Sequence, residues 1–297
     1  METKKILAGI VLYNPEISRL KDNIKAIEGQ VDKLIIIDNG CKSKDYLSLI
    51  NEDKVHIINL KKNRGIATAL NAILQYALDN DYDWALTLDQ DSVSPSNLVD
   101  TYKSVVCQHD DLGMVCCKIR DRNFVMKREE ALPQRDDYVD QCITSASMVF
   151  VKAWQDVGGF DDAMFIDSVD FDFCLLLRNW GWKIFRTYKV ELLHELGNSE
   201  VIHIFGKEYL CSHYPPTRHY YISRNLIYEG RKHHKLAKSF RVLMRHIYTT
   251  SLMDIYRLWS ACWRAWMIIT KREMLYIIVW DNANTTSNPS LWFSLHG

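Results

Sequence analysis

The sequence carries no excess of either charge, since 37 Lys and Arg residues balance 37 Asp and Glu residues among 297. It lacks the basic surplus that is typical of nucleic-acid-binding proteins, so we expect no nucleic-acid partner. The eight cysteines contain no CxxC pair, and a zinc site is therefore not indicated. We expect these cysteines to be small buried residues in a reducing compartment.

Long apolar runs are also missing. No stretch reaches the roughly 18 uncharged apolar residues of a membrane-spanning helix. The first residues lack the apolar region of a signal peptide, so we expect a cytoplasmic protein.

Two glycine-rich nucleotide motifs are absent as well. The first predicted strand is not followed by G-x-G-x-x-G, which argues against a dinucleotide dehydrogenase. The chain has no G-x-x-x-x-G-K-[ST], which excludes a P-loop NTPase. The glycine-rich basic loop expected near the N-terminus of a sugar nucleotidyltransferase is missing too.

The composition is that of a globular chain, with 47% hydrophobic residues. Its charge is unevenly distributed. Residues 1–200 hold 24 basic and 32 acidic side chains, whereas residues 201–297 hold 13 and 5. The two parts therefore face different surroundings or partners.

Short apolar runs alternate with segments of helical periodicity over the first 90 residues. This order predicts an α/β fold with an open, mostly parallel sheet and helices on both faces. Residues 120–140 are charged and aperiodic, which predicts a loop or flap. The predicted strands are Ile6–Leu12, Leu34–Ile37, Val55–Leu60 and Trp84–Leu88, and the two clearest helices are Ile17–Ile27 and Ile66–Leu78.

Polar residues follow each predicted strand directly. In open α/β sheets, ligands bind beyond the carboxyl ends of the strands. One such residue would be ordinary turn chemistry, but four successive groups predict one polar crevice. The groups are Asn14, Asp38 with Asn39, Asn63 with Arg64 and Gly65, and Asp89 with Gln90 and Asp91.

Asp89 and Asp91 form an acidic pair directly after a buried strand. Hard divalent cations such as Mg²⁺ prefer oxygen ligands and often take one or two carboxylates together with phosphate oxygens. The alternative is a solvated acidic turn, which the surrounding strand-end groups make less favoured. His194 is either a third metal ligand or a loop histidine, and chemistry alone favours the loop.

Three acids, Asp167, Asp170 and Asp172, stand within six residues before an apolar helix. One acid could complement the helix dipole, but mutual repulsion among three would raise at least one pKa and favour a general base. Arg218 and Arg224 suit phosphate recognition, or they begin an amphipathic basic helix.

The chain from residue 231 onward is basic and has apolar residues at helical spacing, with four tryptophans up to Trp280. Such helices lie in a membrane interface. Two alternatives, a core-packing subdomain and an interface between subunits of an oligomer, together explain this pattern about as well as a membrane interface does.

Taken together, these motifs resemble those of inverting family 2 glycosyltransferases with the GT-A fold. Two further segments resemble bacterial rhamnosyltransferases, which build cell-surface polysaccharide: Phe165-Ile166-Asp167-x-Val-Asp170 and Arg218-x-Tyr-Tyr-x-x-Arg-Asn225. The resemblance covers residues 5–230, and its remaining motifs are Val11 to Pro15, Ile37 to Gly40, Asn63 to Gly65, Asp89 to Ser92 and Gly158 to Asp161.

The resemblance implies a role for each matching residue. Asp170 is the implied catalytic base and Asp38 the nucleoside ligand, while Asp89 would bind the ribose or the metal. Asp91 would hold Mg²⁺ or Mn²⁺, and His194 would approach the metal or diphosphate. The expected nucleotide-sugar site also includes Asn14, Asn39, Asn63, Arg64, Gly65, Asp167, Arg218 and Arg224.

The resemblance implies transfer of L-rhamnose from dTDP-β-L-rhamnose to a lipid-linked saccharide at the inner face of the cytoplasmic membrane. The expected domains are a GT-A domain over residues 1–230 and a helical extension over 231–297. Two alternatives remain: a sibling transferase that uses a UDP-sugar, and a non-catalytic assembly factor at the membrane. The second would be expected to have lost carboxylates that this sequence retains.

Overall fold

A computed structural model describes residues 4–51, 54–121, 135–194, 199–204, 207–212 and 214–251. The chain divides into two compact units, residues 1–240 and 241–297. The sequence placed a boundary at residue 230, within a helix that continues to Lys232, and that boundary stays a prediction. Of the second unit, only residues 241–251 are described, and they are helical.

The described elements alternate between strands and helices over the first half of the chain. A 3₁₀ helix, Asp45–Leu49, lies between the second and third strands. The strands are β1 Ile6–Leu12, β2 Lys33–Asp38, β3 Val55–Asn59, β4 Trp84–Asp89, β5 Leu112–Asp121, β6 Asp137–Tyr138, β7 Ser147–Phe150, β8 Lys183–His194, β9 Ser199–Ile204 and β10 Lys207–Ser212. The helices are α1 Ile17–Ile27, α2 Ile66–Asp79, α3 Leu98–Val106, α4 Val151–Val157, α5 Val169–Asn179 and α6 Pro216–Lys232.

Eight of the described strands form one mixed sheet in the order β3-β2-β1-β4-β7-β5-β8-β6. The first four predicted strands are its parallel half. β7 pairs antiparallel with β4 and β5, and β5 pairs parallel with β8. The predicted α/β class and mostly parallel sheet are therefore confirmed.

The sheet is buried on both faces. On one face α1 and α3 pack over the alternate strand residues, and on the other α2, α4 and α5 do so. Every residue of β1 is buried, which explains its continuous apolar run. Helices on both faces leave the strand ends as the open edge of the fold.

The prediction of a loop or flap over residues 120–140 is partly wrong. β5 continues to Asp121, and residues 137–138 form the edge strand β6, because both pair with β8. The rest of that prediction, residues 122–134, lies outside the described residues. In the part of the chain that the structure describes, no helix has the length and apolar character needed to cross a membrane.

Candidate active site

A cavity of about 410 Å³ opens at the carboxyl ends of β1, β2 and β4. This is the edge at which the polar strand-end residues were predicted to meet. The cavity is lined by Val11, Tyr13, Asn39, Asn63, Gly65, Ile66, Asp89, Gln90, Asp91, Phe165, Ile166, Tyr214 and Arg218. Six of the predicted site residues thus share one cavity: Asn39, Asn63, Gly65, Asp89, Asp91 and Arg218.

One wall is a network of amides between two strand ends. The Asn39 amide donates to the carbonyl oxygen of Gly65 at 3.2 Å, and its own oxygen accepts the backbone N–H of Arg64 at 2.8 Å. Asn63 accepts the N–H of Gly65 at 2.9 Å. Arg64 therefore contributes its backbone to this wall, although it is not among the lining residues.

Gly65 is required by both conformation and space. Its φ is +89°, and a Cβ there would lie 2.6 Å from the carbonyl oxygen of Phe165. The neighbouring Ile66 N–H donates to that same oxygen at 2.8 Å. This glycine lets the end of β3 and the start of α2 approach the segment that precedes α5.

Asp38 is placed differently from the sequence prediction. Its side chain is completely buried and does not line the cavity. It accepts the N–H groups of Gly40 and Cys41, the Tyr46 hydroxyl at 2.7 Å and the Lys44 ammonium. Burial alone would raise the pKa of Asp38, but these donors hold it at about 2. The carboxylate shapes the loop beneath the wall instead of facing into the cavity.

Asn14 also acts within its loop. Its side-chain oxygen accepts the N–H of Lys42 at 2.8 Å, and its own N–H donates to Cys41 Sγ at 3.3 Å. Its φ of +50° is tolerated by asparagine better than by most residues. The cavity is lined at this point by the preceding Tyr13.

Asp89 and Asp91 form the acidic side of the cavity. Asp89 is the last residue of β4, and the buried Asn23 amide donates to its backbone oxygen at 2.7 Å. The Gln90 side chain accepts the N–H of Tyr13 at 2.9 Å, which fixes the turn between the two acids. Asparagine and glutamine thus hold the backbone while both carboxylates border the cavity.

This donor set fits a hard divalent cation. Among the described residues, no group of three or more His, Cys, Asp or Glu side chains is arranged to hold a metal. Two carboxylates beside an open cavity match a Mg²⁺-type ion that takes its remaining ligands from phosphate and water. The side chain of His194 lies outside the described residues, so its predicted role stays a prediction.

The three clustered acids have three different partners. Asp167 pairs with Arg218, whose Nη2 lies 3.1 Å from Oδ1. Asp170 accepts the Thr144 hydroxyl at 3.2 Å. Asp172 is fully buried and binds the Lys232 ammonium at 2.7 Å, and the side chain of His233 as well. In the described part of the chain, Asp170 alone of the three has a hydroxyl and not a basic side chain as its hydrogen-bond partner.

Asp170 carries a strongly perturbed carboxyl group. Burial, and secondarily the charge of Asp89, raises its pKa from 3.8 to about 7, against the opposing effect of the Thr144 hydrogen bonds. Asp170 is the second residue of α5 and is partly buried. A carboxylate with a pKa near neutrality is matched to accepting a proton from a substrate hydroxyl.

The two predicted arginines occupy different places. Arg218 lines the cavity, and its guanidinium lies 4.0 Å from the centre of the Tyr214 ring. Arg224 does not line the cavity; it donates to the carbonyl oxygen of Ala163 and to the Asn225 side chain at 2.9 Å. Arg224 therefore braces the segment before α5.

Sequence reasoning missed three residues that shape the site. Thr144 bonds Asp170, Tyr214 stacks on Arg218, and Asn225 bonds the backbone before α5. Nothing in the sequence marks Thr144 or Tyr214, because each acts through a tertiary contact. Asn225 stood in a motif that we identified, but only its arginines were interpreted.

Comparison with known proteins shows what this chain is similar to. Residues 8–148 match the model for glycosyl transferase family 2. The dTDP-rhamnosyl transferase RfbF of Shigella flexneri is 28% identical over 265 residues, which cover 84% of this chain and 88% of that protein.

Solved glycosyltransferases have the same fold. GalNAc-T7 with UDP, GalNAc and Mn²⁺ aligns with a TM-score of 0.56 at 12% identity, covering 75% of this chain and 48% of that one. The mannosyltransferase PcManGT of Pyrobaculum calidifontis with GDP-Man and Mn²⁺ gives 0.54 at 14% identity, covering 82% and 65%. The chain thus spans about half to two thirds of the length of these two structures. Residues 8–148 therefore match glycosyl transferase family 2, the fold is the GT-A fold of these solved enzymes, and the chain is a glycosyltransferase.

Proposed function

We propose that the chain transfers L-rhamnose, with inversion, from dTDP-β-L-rhamnose to a lipid-linked saccharide during synthesis of a bacterial cell-surface polysaccharide. The proposed mechanism rests on Asp170, a partly buried carboxyl whose pKa is raised to about 7 by burial and then by the charge of Asp89; Asp89 lines the cavity and Asp170 does not. The rhamnose assignment is supported by the name of the Shigella flexneri relative and by the two rhamnosyltransferase-like motifs.

The proposed chemistry is a single displacement. The Asp170 carboxylate takes the proton of the acceptor hydroxyl while that oxygen forms a bond to the sugar C1. The bond between C1 and the diphosphate oxygen breaks, and dTDP leaves with the electron pair. Attack from the face opposite the leaving group converts the β-linked donor sugar into an α-rhamnoside, and no covalent enzyme intermediate is needed.

We expect the acidic side of the cavity to bind the leaving diphosphate through a metal ion. Asp89 and Asp91 would hold Mg²⁺ or Mn²⁺, which when bound neutralises charge on the leaving diphosphate. The GalNAc-T7 and PcManGT structures pair Mn²⁺ with a nucleotide or nucleotide sugar, which supports a divalent ion here. Arg218, which lines the cavity and pairs with Asp167, would offer a planar cation to the donor phosphates.

The proposed location of the protein, where it would meet a lipid-linked acceptor, draws on the basic C-terminal part of the chain. We place the protein in the cytoplasm, at the inner face of the cytoplasmic membrane, where a lipid-linked acceptor is presented. The described helical residues 236–251 expose apolar and basic side chains together, which favours an anionic lipid surface. Assembly into a homo-oligomer through the C-terminal helices is the competing use of the same residues.

A donor panel tests the sugar assignment. The purified chain would be given dTDP-rhamnose, UDP-galactose and UDP-N-acetylglucosamine, with release of nucleoside diphosphate as the readout. We expect turnover of dTDP-rhamnose above the others. Turnover of a UDP-sugar with dTDP-rhamnose inert would instead identify a sibling transferase, and turnover of no donor would favour the non-catalytic assembly factor.

A further inference from the structure

Helix α6 presents one face to the segment that leads into α5. Contacts to residues 161–172 recur along the helix every three or four residues, so the contacting residues share a face. Arg218 pairs with Asp167, and Tyr221 stacks on Phe165 with ring centres 5.0 Å apart. Further along the same face, Asn225 binds Ile166 and Asp167. Tyr228 binds Asp161, and Lys232 binds both Asp161 and Asp172.

Asn225 is the buried centre of this face. Its side chain is completely buried, and its amide nitrogen donates to the carbonyl oxygens of Ile166 at 2.8 Å and Asp167 at 2.7 Å. Its amide oxygen accepts from Arg224 Nε at 2.9 Å. Both amide hydrogens are therefore used on two successive carbonyls of one segment.

Those two carbonyls lie at a strained turn. Asp167 and Ser168 have φ values of +67° and +62°, and two successive non-glycine residues in the left-handed region are unfavourable unless the surroundings hold them. Ser168 precedes α5 and makes no side-chain capping bond. The direction in which α5 leaves this turn sets the position of Asp170, two residues later.

We propose that Asn225 is a positioning residue for glycosyl transfer, which holds the left-handed turn at Asp167 and Ser168 and thereby sets the place of the Asp170 carboxylate. The inference rests on the proposed function, in which Asp170 is the base. Only a side chain with two N–H donors and matching length satisfies both carbonyls. Aspartate at this position would set a carboxylate against them, and alanine would leave them unpaired.

A double-mutant cycle in the full chain tests this role. Asn225→Ala should lower kcat about 10- to 100-fold, since a displacement near 1 Å at a reacting group costs on that order, while the donor KM changes less than about threefold. In an Asp170→Asn background the same substitution should change kcat less than about threefold, because the group it positions no longer acts as a base. Ile227→Ala, at an exposed position of the same helix, is the matched control and should leave kcat unchanged.

A rescue variant tests the strained turn directly. Adding Ser168→Gly to Asn225→Ala should recover at least about threefold in kcat, because glycine adopts positive φ without cost. If Asn225→Ala does not fold, Asn225→Ser, which keeps one donor, takes its place in both experiments. Equal losses in the wild-type and Asp170→Asn backgrounds, or no recovery with Ser168→Gly, would overturn the positioning role. Near-wild-type turnover of Asp170→Asn alone is a separate result that removes the proposed base itself.

Discussion

At the scale of single residues, the environment of each carboxylate determines what it can do. Asp38 is the last residue of β2, and Asp170 is the second residue of α5. Their pKa values move in opposite directions, to about 2 for Asp38 and about 7 for Asp170. Donors surround Asp38, whereas Asp170 has one hydroxyl and nearby negative charge. Sequence spacing identified both residues but contained no information on these partners.

The raised pKa of Asp170 predicts a pH-dependent stability. The folded state binds this proton more tightly than the unfolded chain, whose aspartate has its ordinary value near 3.8. The stabilising contribution is therefore complete below about pH 3.8 and is lost as the pH rises towards 7. Asp170→Asn, which cannot ionise, should become more stable relative to wild type between pH 5 and pH 8, as measured by thermal unfolding of the metal-free protein. A difference in Tm that is constant over this range would contradict the assignment.

We expect replacement of Asp38 to lower the stability of the fold without removing a catalytic group. Asp38→Asn removes the charge that Lys44 pairs with and leaves donors of the loop imperfectly matched, at a cost of about 2–3 kcal/mol. We expect a lower urea midpoint at pH 7, while kcat at saturating donor stays within about fivefold of wild type. If donor binding were lost with stability unchanged, the resemblance-based role of Asp38 as a nucleoside ligand would be the correct one.

At the scale of elements, the sequence predicted the regular half of the sheet well. The predicted bounds of β1 and α1 agree with the structure, those of β3, β4 and α2 differ by one residue at one end, and those of β2 differ by one residue at each end. These elements have strong periodicity and bury apolar residues on known faces. The pairing of β5 with β8 and the antiparallel β7 were not predicted, because long-range pairing leaves no local pattern.

The basic helix at residues 236–251 predicts lipid binding. Phe240, Ile247 and Tyr248 are all exposed, and the same helical stretch exposes Lys238, Arg241 and Arg245. Because each basic residue near anionic lipid contributes about 1 kcal/mol, changing these three to Gln should weaken binding to phosphatidylserine liposomes on the order of 100-fold. Sedimentation with liposomes at two salt concentrations measures this.

Charge neutralisation is a sharper test here than truncation. A cut after residue 230 would remove Lys232 and His233, which bind the buried Asp172. The matched control is a triple change to Gln at Lys21 and Lys25, on α1, and at Lys33, the first residue of β2. Unchanged liposome binding by the helix variant, or equal weakening by the control, would count against an interfacial helix and favour an oligomer interface.

At the scale of the whole molecule, the site is assembled from distant parts of the chain. Strand ends of the first 91 residues supply the cavity wall and two acids, residues 165–170 contain the proposed base, and α6 binds that segment. The first group could be predicted because parallel strands end at a common edge. The roles of Asn225, Arg224 and Thr144 could not, since each depends on which segments meet in three dimensions.

The acidic pair predicts a metal requirement. Chelation should abolish transfer, and Mg²⁺ or Mn²⁺ should restore it, because the negative charges of the diphosphate and of the two carboxylates would otherwise repel each other. Asp91→Asn should raise the metal concentration needed for half-maximal turnover. Donor binding followed by calorimetry with and without metal separates this effect from misfolding. Full activity in excess chelator would rule out the assignment.

The central claim is that these parts converge on Asp170 as the base, and transfer to acceptor by Asp170→Asn tests it most directly. Asparagine keeps shape and hydrogen bonding but not basicity, so kcat should fall about 10²- to 10⁴-fold with donor affinity little changed. Asp172→Asn, which alters the buried contact with Lys232, should mainly lower stability. We expect Asp167→Asn to weaken the Arg218 pair and retain more turnover than Asp170→Asn. Near-wild-type turnover by Asp170→Asn, together with an inactive Asp167→Asn that still binds donor, would contradict the account and make Asp167 the base.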